Sequence, residues 1–372
     1  MKISVLKNDI IDVLSKVQGL TGRKSNLAIT SNVLIRANTS GLTISATDLE
    51  TGFEGTYPAS VEEEGVITIS ARKFFEIIRD FPTDELIIHE VENRWIQIGN
   101  QNIEYHIVGM NPDDFPSIPQ LEGVQLFDME SDALRKMIEK TTIVGASDDK
   151  RAHIMGVFFE KIGENDGKDD KAVRMVSTDG SRLSKTDYGV EVDVDLGEGI
   201  IIPKKGLIEV AKFLDSAGTA QVGYKDNHFI VKKDLETIII RLLEGEFPEY
   251  KGIIEKGETY VIPMDRQLFL RMLKRMSILS SESYKGVIFN LSEGKLIISS
   301  TNPDIGESKE DMAIEYNGDP VEVAFNPKFF IETLNVIEDD KVEINILNEE
   351  KPCLIEGMND KQYLSVIMPM RL

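Results

Sequence analysis

Apolar residues recur at helical spacing in three short segments of the chain, and a lysine stands near the start of each. The segments are residues 71–79, 203–214 and 326–334. Apolar side chains three or four positions apart share one face of a helix, so each segment is predicted to form a short amphipathic helix. Ser70 supplies an N-cap for the first helix, and Asn326, which precedes a proline, supplies one for the third.

These segments mark an internal repeat. Their lysines, at positions 73, 205 and 328, are 132 and 123 residues apart. A Thr-Asp or Thr-Asn pair after an apolar, strand-like run recurs at Thr47, Thr178 and Thr301, with offsets of 131 and 123 residues. The Phe-Pro pairs that begin at Phe115 and Phe247 are 132 residues apart. Each copy also opens with a helical pattern, so one unit of the repeat contains two helices and several strands.

An insertion in the second copy explains the unequal offsets. Gly156 and Thr178 are separated by 22 residues, whereas Gly286 and Thr301 are separated by 15. The extra residues fall in the polar stretch 163–171, which predicts an extended surface loop. In the third copy, apolar and polar residues alternate over 287–298, which predicts a compact hairpin with one buried face.

The repeat is too long for a solenoid, and each copy is long enough to enclose a core of its own. The predicted fold is therefore α+β, with three similar domains in tandem at residues 1–122, 123–253 and 254–372. The proline-containing stretches 115–123 and 244–258 are interpreted as linkers between the copies.

Composition agrees with a folded chain in a reducing compartment. Of the 372 residues, 41% are hydrophobic and 28% are charged, which is typical of a globular protein. Charged residues interrupt the N-terminal stretch where a signal peptide would be apolar, and no apolar run is long enough to span a membrane. Cys353 is the only cysteine, which excludes an intrachain disulfide. The predicted location is the cytoplasm, with no membrane partner.

A search for chemistry finds no catalytic motif. The four histidines lie in four unrelated local contexts without metal-ligand spacing, and no phosphate-binding loop motif occurs. Cys353 follows a proline in an apolar run, which is typical of a buried small side chain. We therefore predict no enzymatic activity, metal or cofactor. A hydrolase site hidden among the 64 carboxylates is the alternative that pairing by sequence does not test.

The chain has a net charge of −22, which by itself argues against a nucleic-acid-binding protein. The six helical segments, however, sum to a net charge of +6, so the rest of the chain carries −28. One interpretation is that lysine and arginine simply favour helices. The other is that the helices line a surface that faces phosphate while the acidic remainder repels nucleic acid. The candidate DNA contacts, each of which also fits a solvated basic face, are Arg23, Lys24, Arg135, Lys204 and Lys205.

Four motifs resemble the bacterial beta sliding clamp family of DNA polymerase III. They are Ala71-Arg-Lys-Phe-Phe75, Ser177-Thr-Asp-Gly-Ser-Arg-Leu183, Gly245-Glu-Phe-Pro-Glu-Tyr250 and the C-terminal Val366-Ile-Met-Pro-Met-Arg-Leu372. The resemblance covers the whole chain and keeps the order of the motifs. It implies a DNA sliding clamp without chemistry of its own, which encircles double-stranded DNA regardless of sequence and confers processivity on the replicative polymerase.

The resemblance also implies a head-to-tail homodimer. Two chains would close into a ring of six domains, with the helices inside and the sheets outside. By similarity, Tyr105 and Ile107 of one chain would meet Ile278 and Leu279 of the other. Lys73 would face an acidic residue there, either Asp304 or Glu307.

A final implication is a pocket between the second and third domains. In this family it binds a short hydrophobic peptide carried by the polymerase III catalytic subunit, the clamp loader, other polymerases and repair proteins. Carried over by position, the pocket consists of Arg151, Ile154, Thr178, Gly180, Arg182, Leu183, Pro248, Ile253, Val366, Met368, Pro369, Met370 and Arg371.

Alternatives to this pocket remain open at the level of sequence. Met368 and Met370 suit an adaptable binding wall, but Met and Pro in a terminal strand are also common in a plain core. Ser181, Gly252 and the pair at 152–153 differ from the family's common residues, and these positions bear on the peptide preference and on a DNA contact. A different class of function also fits, namely an acidic scaffold that binds peptides and never encircles DNA.

Overall fold

The structure is a computed structural model. It describes residues 1–22, 27–119, 123–145, 152–163, 171–191, 196–257, 260–280 and 286–371. The chain forms two compact units. Unit 1 contains residues 1–135 and 205–242, and unit 2 contains residues 136–204 and 243–372.

Unit 1 contains two antiparallel sheets. The five-stranded sheet has the order β5 (Ser60–Glu63), β1 (Lys2–Leu6), β7 (Glu85–Glu90), β8 (Trp95–Gly99) and β9 (Glu104–Val108). The eight-stranded sheet has the order β10 (Leu126–Glu130), β15 (Thr219–Lys225), β16 (His228–Lys233), β17 (Glu236–Arg241), β4 (Thr51–Tyr57), β3 (Gly41–Thr47), β2 (Asn32–Asn38) and β6 (Gly65–Ser70).

Three helices lie within unit 1: α1 (Lys7–Lys16), α2 (Gln18–Thr21) and α3 (Ala71–Asp80). As the sequence predicts, the Ser70 hydroxyl accepts a hydrogen bond from the backbone N–H of Lys73 and caps α3. The apolar faces of α1 and α3 pack together, and Leu14 and Phe74 are fully buried there. Two further helices, α4 (Ser131–Thr142) and α5 (Lys204–Phe213), cross the boundary between the units.

Unit 2 also contains two antiparallel sheets. Its eight-stranded sheet has the order β14 (Ile200–Pro203), β11 (Gly156–Ile162), β12 (Ala172–Thr178), β13 (Arg182–Gly189), β25 (Tyr363–Ile367), β24 (Cys353–Gly357), β23 (Lys341–Ile346) and β18 (Tyr260–Asp265). The four-stranded sheet has the order β21 (Gly306–Ala313), β20 (Lys295–Asn302), β19 (Val287–Ser292) and β22 (Val321–Phe325). The hairpin predicted at 287–298 is confirmed as β19 and β20.

The helices of unit 2 are α6 (Lys251–Ile254), α7 (Arg266–Met276) and α8 (Pro327–Val336). Asn326 caps α8 as predicted, and the carboxylate of Asp265 caps α7 through the N–H of Leu268 at 2.7 Å. Their buried faces surround a cluster of aromatic rings with centroids 5.2 to 6.1 Å apart, formed by Phe269, Phe289, Phe325 and Phe330. This cluster is the core of the third copy.

The repeat appears in the structure as a repeated sheet. Read from β6 to β10 and from β14 to β18, the two eight-stranded sheets have the same strand order, and each takes four strands from one predicted copy and four from the next. The two units therefore divide the second copy between them, although the sequence places it in a single domain. The exact domain boundaries stay a prediction, and most of the predicted loop 163–171 lies outside the described residues.

Candidate functional site

The turn between β12 and β13 shapes one side of the predicted pocket. The Thr178 hydroxyl donates to the carbonyl of Arg182 at 2.8 Å and accepts the N–H of Gly180 at 3.1 Å. The Asp179 carboxylate accepts the N–H groups of Ser181 and Arg182, both at 3.0 Å. Gly180 has a φ of +86°, a conformation that is unfavourable for residues with a side chain. The Thr-Asp-Gly motif is therefore explained by the turn that it forms.

Arg182 fastens this turn to its surroundings. Only 6% of the residue is exposed, and its guanidinium lies 4.3 Å from the ring centre of Phe329 on α8. The guanidinium also pairs with Glu332 on α8 and donates to the carbonyl of Ile143 at 2.9 Å. Because the guanidinium already donates hydrogen bonds within the protein, Arg182 acts on the pocket chiefly by fixing the turn.

A small apolar cluster lies behind the turn. Leu183 pairs with Val366 across β13 and β25, and both side chains are buried. Phe158, Phe247 and Ile254 pack at the edge of the cluster, and the first two rings are stacked with centroids 5.0 Å apart. The complete cluster of buried residues is Val176, Leu183, Tyr250, Leu354, Leu364 and Val366. Leu183 and Val366 can thus offer a ligand an apolar floor but little exposed surface.

The exposed part of the site is a rim of apolar residues. Its methionines have flexible side chains, and its prolines are rigid. Met368 and Met370 are each 38% exposed, Ile253 is exposed on α6, and Pro248 and Pro369 are half-buried. Met side chains adapt to different ligand shapes, whereas proline holds the backbone. The predicted pocket thus divides into a buried floor and an exposed rim, while Arg151 lies outside the described residues.

Backbone hydrogen bonds hold the C-terminal segment in place. The N–H of Met368 donates to the carbonyl of Ser181 at 2.9 Å, and the N–H of Met370 donates to the carbonyl of Ala324 at 2.8 Å. The segment therefore bridges the turn at 178–182 and the edge strand β22. Its side chains project from a backbone that is fixed at both ends.

Beside this segment lies a cavity of about 920 Å³. Residues 368–371 form one wall, and Val323 and Ala324 of β22 form another. The rim also carries three carboxylates, Glu322, Glu349 and Glu350, which the sequence-based prediction missed. Their grouping has no local sequence signal, because Glu322 is 27 residues from Glu349 in the chain.

A buried ionic network supports the floor. Arg174 and Asp187 face each other across β12 and β13 and form a bidentate ion pair, with N–O distances of 2.7 and 3.0 Å. Lys185 binds the same carboxylate at 2.8 Å. Arg174 also donates to the hydroxyl of Tyr250 at 3.3 Å, and that hydroxyl donates to Glu160. Burial alone would raise the pKa of Asp187, but Arg174 and Lys185 lower it overall.

Comparisons with known proteins decide the family. Models of the N-terminal, central and C-terminal domains of the DNA polymerase III beta subunit match residues 1–119, 128–249 and 251–371. The chain belongs to this family of sliding clamps. A beta sliding clamp from Pseudomonas putida is 28% identical over the full length of both chains. The crystal structures of a beta subunit from Pseudomonas aeruginosa and a sliding clamp from Bartonella birtlesii superpose with TM-scores of 0.92 and 0.93, at 27% and 26% identity and complete coverage of both chains.

The chain is acidic, but its long helices carry a net positive charge. The six helices of ten or more residues, α1, α3, α4, α5, α7 and α8, together carry a net charge of +8. Among the predicted contacts, Lys205 is exposed, and no ion pair of Lys205 is found in the part of the chain that the structure describes. Arg271 and Lys274 on α7 share both properties and were missed by the prediction.

The other predicted DNA contacts lie in different surroundings. Arg135 pairs with Asp132 on the same helix at 2.5 Å. Lys204 is half-buried and donates to the carbonyl of Val144, and burial lowers its pKa to about 8. Arg23 and Lys24 lie outside the described residues. These contacts stay predictions, with Lys205 in the most accessible position.

The predicted dimer contacts lie at sheet edges or beside them. Tyr105 and the half-buried Ile107 are on β9, the last strand of the five-stranded sheet. Ile278, which is 74% exposed, and Leu279 follow α7. Lys73 is exposed but binds Glu76 on its own helix at 2.8 Å. Further exposed apolar residues that the prediction missed are Val108 on β9, Trp95 opposite it on β8, and Ile305 beside β21.

Within the described ranges there is no cluster of three or more side chains suited to hold a metal ion. Cys353 is buried, and burial raises the pKa of its thiol, which disfavours the reactive thiolate. The helices that the structure describes include none long and apolar enough to cross a membrane.

Proposed function

We propose that two copies of this chain close head to tail into a six-domain ring that encircles duplex DNA. The ring has its helices inside and its sheets outside, slides without reading sequence, and tethers the replicative polymerase. The observation that carries this proposal is the match of three consecutive clamp-domain models over almost the whole chain. We place the domain boundaries near residues 122 and 253, and the protein in the cytoplasm without catalytic activity.

The charge distribution suits a sliding protein. A net charge of +8 on the long helices attracts phosphate, while the strands and loops carry the excess acid of a chain with −22 overall. Several of the helical cations already bind carboxylates, as Arg275 does with Glu310 and Arg135 with Asp132. Phosphate contacts are thereby kept few, and the affinity for any one position on DNA stays low.

Two of the sheet edges support ring closure. Among the described strands, β9 pairs with β8 alone and β21 pairs with β20 alone, so the outer edge of each has backbone groups free to pair with another chain. The edge β22 is different because Met370 bridges it through Ala324. Exposed apolar side chains accompany both open edges, with Trp95, Tyr105 and Val108 at the first and Ile278 and Ile305 at the second. Pairing β9 of one chain with β21 of the other would be heterologous and would close after two copies.

The groove at 178–183, 247–254 and 366–371 is the proposed docking site for partners. An apolar floor with a methionine rim fits a short hydrophobic peptide, and one such groove can serve several proteins in turn. We infer that the polymerase III catalytic subunit, the clamp loader, other polymerases and repair proteins use it. The anchored backbone of the C-terminal segment lowers the entropic cost of forming this site.

Retention on DNA tests the ring. The wild-type protein, loaded on nicked circular DNA by the clamp loader of the same cell, should stay bound and should leave when the circle is cut. Ile278→Asp should abolish both dimer formation in light scattering and retention on the circle. Leu235→Asp, at a residue that is 69% exposed on the turn between β16 and β17, is the matched control and should change neither. Equal retention of the wild type on circular and linear DNA would contradict the proposal.

A further inference from the structure

A second cavity, of about 450 Å³, lies in unit 1. The turn between β3 and β4, the segment 116–119 and the turn between β15 and β16 surround it. Its lining residues are Thr47, Leu49, Glu50, Gly52, Pro116, Ser117, Ile118, Pro119, Asp226, Asn227, His228, Ile239 and Arg241. None of them belongs to the groove of unit 2.

The turn at this cavity repeats the turn at the groove bond by bond. In residues 47–51, as in 178–182, the threonine hydroxyl donates to the carbonyl four residues later and accepts the N–H two residues later. In both turns the aspartate carboxylate accepts the N–H groups of the residues two and three positions after it. Position 49 therefore corresponds to position 180.

The neighbouring strand also corresponds. The N–H of Arg241 donates to the carbonyl of Glu50 at 2.8 Å, as the N–H of Met368 does to Ser181 at 2.9 Å. Ile239 lies opposite Gly52 in the sheet, as Val366 lies opposite Leu183. The cavity of unit 1 is thus the structural counterpart of the proposed peptide groove.

Leu49 indicates that this cavity has a function of its own and is more than a repeat of the groove. Its φ is +79°, a left-handed conformation that costs a leucine about 1 to 2 kcal/mol, whereas the counterpart is Gly180, for which the conformation is free. The strained side chain is 49% exposed, so burial in the core does not offset the strain. A strained apolar residue that lines a cavity is a sign of a functional contact.

The polar lining indicates the charge of a ligand. The Oδ1 atom of Asn227 and the Nδ1 atom of His228 are buried, and neither has a hydrogen-bond partner among the described residues. Glu50 and Asp226 form no ion pair within the described part of the chain, and neither does Arg241. The charged lining therefore has one negative charge in excess, within a chain that is itself strongly acidic.

We propose that this cavity is a second peptide-binding site, which takes a short linear segment of a partner protein with one bulky apolar residue beside a lysine or arginine. The apolar side chain lies between Leu49 and Ile239, and the cation lies at Glu50 and Asp226. Backbone N–H groups of the segment supply the donor that Asn227 lacks. This proposal can be tested independently of the proposed groove in unit 2, because the two sites share no residue.

A random heptapeptide library displayed on phage, selected on the full-length protein, tests the proposal. Enriched peptides are synthesised and titrated against the wild type, Leu49→Gly and Met370→Asp by calorimetry. One class should combine an apolar with a basic residue, lose about tenfold or more in affinity on Leu49→Gly, and be unaffected by Met370→Asp. Leu49→Gly should also raise the midpoint of thermal unfolding, since glycine relieves the strain at a φ of +79°.

Two controls separate the contact from general effects. Leu235→Gly removes a leucine that is even more exposed, at 69%, and lies at the opposite end of β16 and β17, and it should leave the affinity of this class unchanged. Asp226→Asn should reduce the preference for lysine over alanine beside the apolar residue. The proposal is overturned if no peptide class responds to Leu49→Gly, or if the responding class carries acidic residues. Peptides that respond only to Met370→Asp report the groove alone.

Discussion

The two eight-stranded sheets share one backbone design and differ in the chemistry that it carries. At the centre of the unit 2 sheet, Arg174 and Asp187 form a buried ion pair across β12 and β13. The corresponding positions of unit 1 are Thr43 and Thr56, which face each other across β3 and β4 without charge. The sheet therefore does not require the ionic network. Unit 2 has it next to Tyr250 and the groove, where it fixes the linker on which the pocket is built.

The turns show the same contrast. Unit 2 has Gly180 and Arg182, an unstrained turn that is tied to α8. Unit 1 has Leu49 and Thr51 at these places, a strained turn without such a tie. Where the same hydrogen bonds define the backbone, side chains at two or three positions set the chemistry of each cavity.

The largest effect should come from breaking the buried pair. Arg174→Met leaves the carboxylate of Asp187 with Lys185 as its main partner, and we expect a loss of about 3 kcal/mol in the free energy of unfolding at neutral pH. Urea denaturation measures this loss. Thr43→Val, at the corresponding place in unit 1, should cost less than about 1 kcal/mol. Equal losses for the two variants would show that the sheets do not differ in the way described.

The pair also predicts a pH dependence. The folded protein holds the pKa of Asp187 below its usual value, which is about 3.9, so its contribution to stability is present above that value and is lost as the pH falls through the lower pKa of the folded state. The midpoint of urea denaturation should fall between pH 5 and pH 3, and this fall should be smaller in Arg174→Met than in the wild type.

The C-terminal segment should separate binding from assembly. Deletion of Met368 to Leu372 removes the rim of the groove, and we expect the affinity for a partner peptide to fall by at least about a hundredfold, or roughly 2.7 kcal/mol. Because Met370 bridges β22, which is the edge of the four-stranded sheet opposite β21, light scattering should still find a dimer. Peptide affinity retained by the truncated dimer would refute the assignment of the groove.

The smallest effect tests the turn of unit 2. Gly180→Ala should cost about 1 kcal/mol, because alanine is strained at a φ of +86° although no atom lies within 4 Å of the added methyl group. The control is Gly252→Ala, which also meets nothing within 4 Å but lies in α6. Its effect should be neutral or slightly stabilising. Thermal unfolding of both variants distinguishes backbone strain from crowding.

Local patterns predicted the elements of this fold well. The segment 71–79 became α3, 203–214 became α5 and 326–334 became α8, each within two residues at its ends. Caps, proline and apolar spacing act within one helix, so the sequence contains their signal. The pairing of β4 with β17 joins residues that are far apart in the chain, and no local pattern indicated that two copies share a sheet.

The candidate site was predicted only in part, for the same reason. The resemblance supplied positions such as Met368 and Thr178, but it did not reveal that Arg182 is almost fully used by Glu332 and Phe329. Lys204 remains a predicted DNA contact, but the sequence did not reveal that its amine donates to the backbone carbonyl of Val144. Both outcomes depend on the burial of a side chain by distant segments, which periodicity does not report.

The shared sheets determine what happens when a protease cuts the chain between two copies. Hydrogen bonds between β4 and β17, and between β13 and β25, join consecutive copies across each linker. A protease that cuts the chain at 116–119 or 244–249 would therefore release no free domain, because the ladder on either side still holds the fragments together. In the proposed ring, a cut at either linker would therefore leave the ring closed.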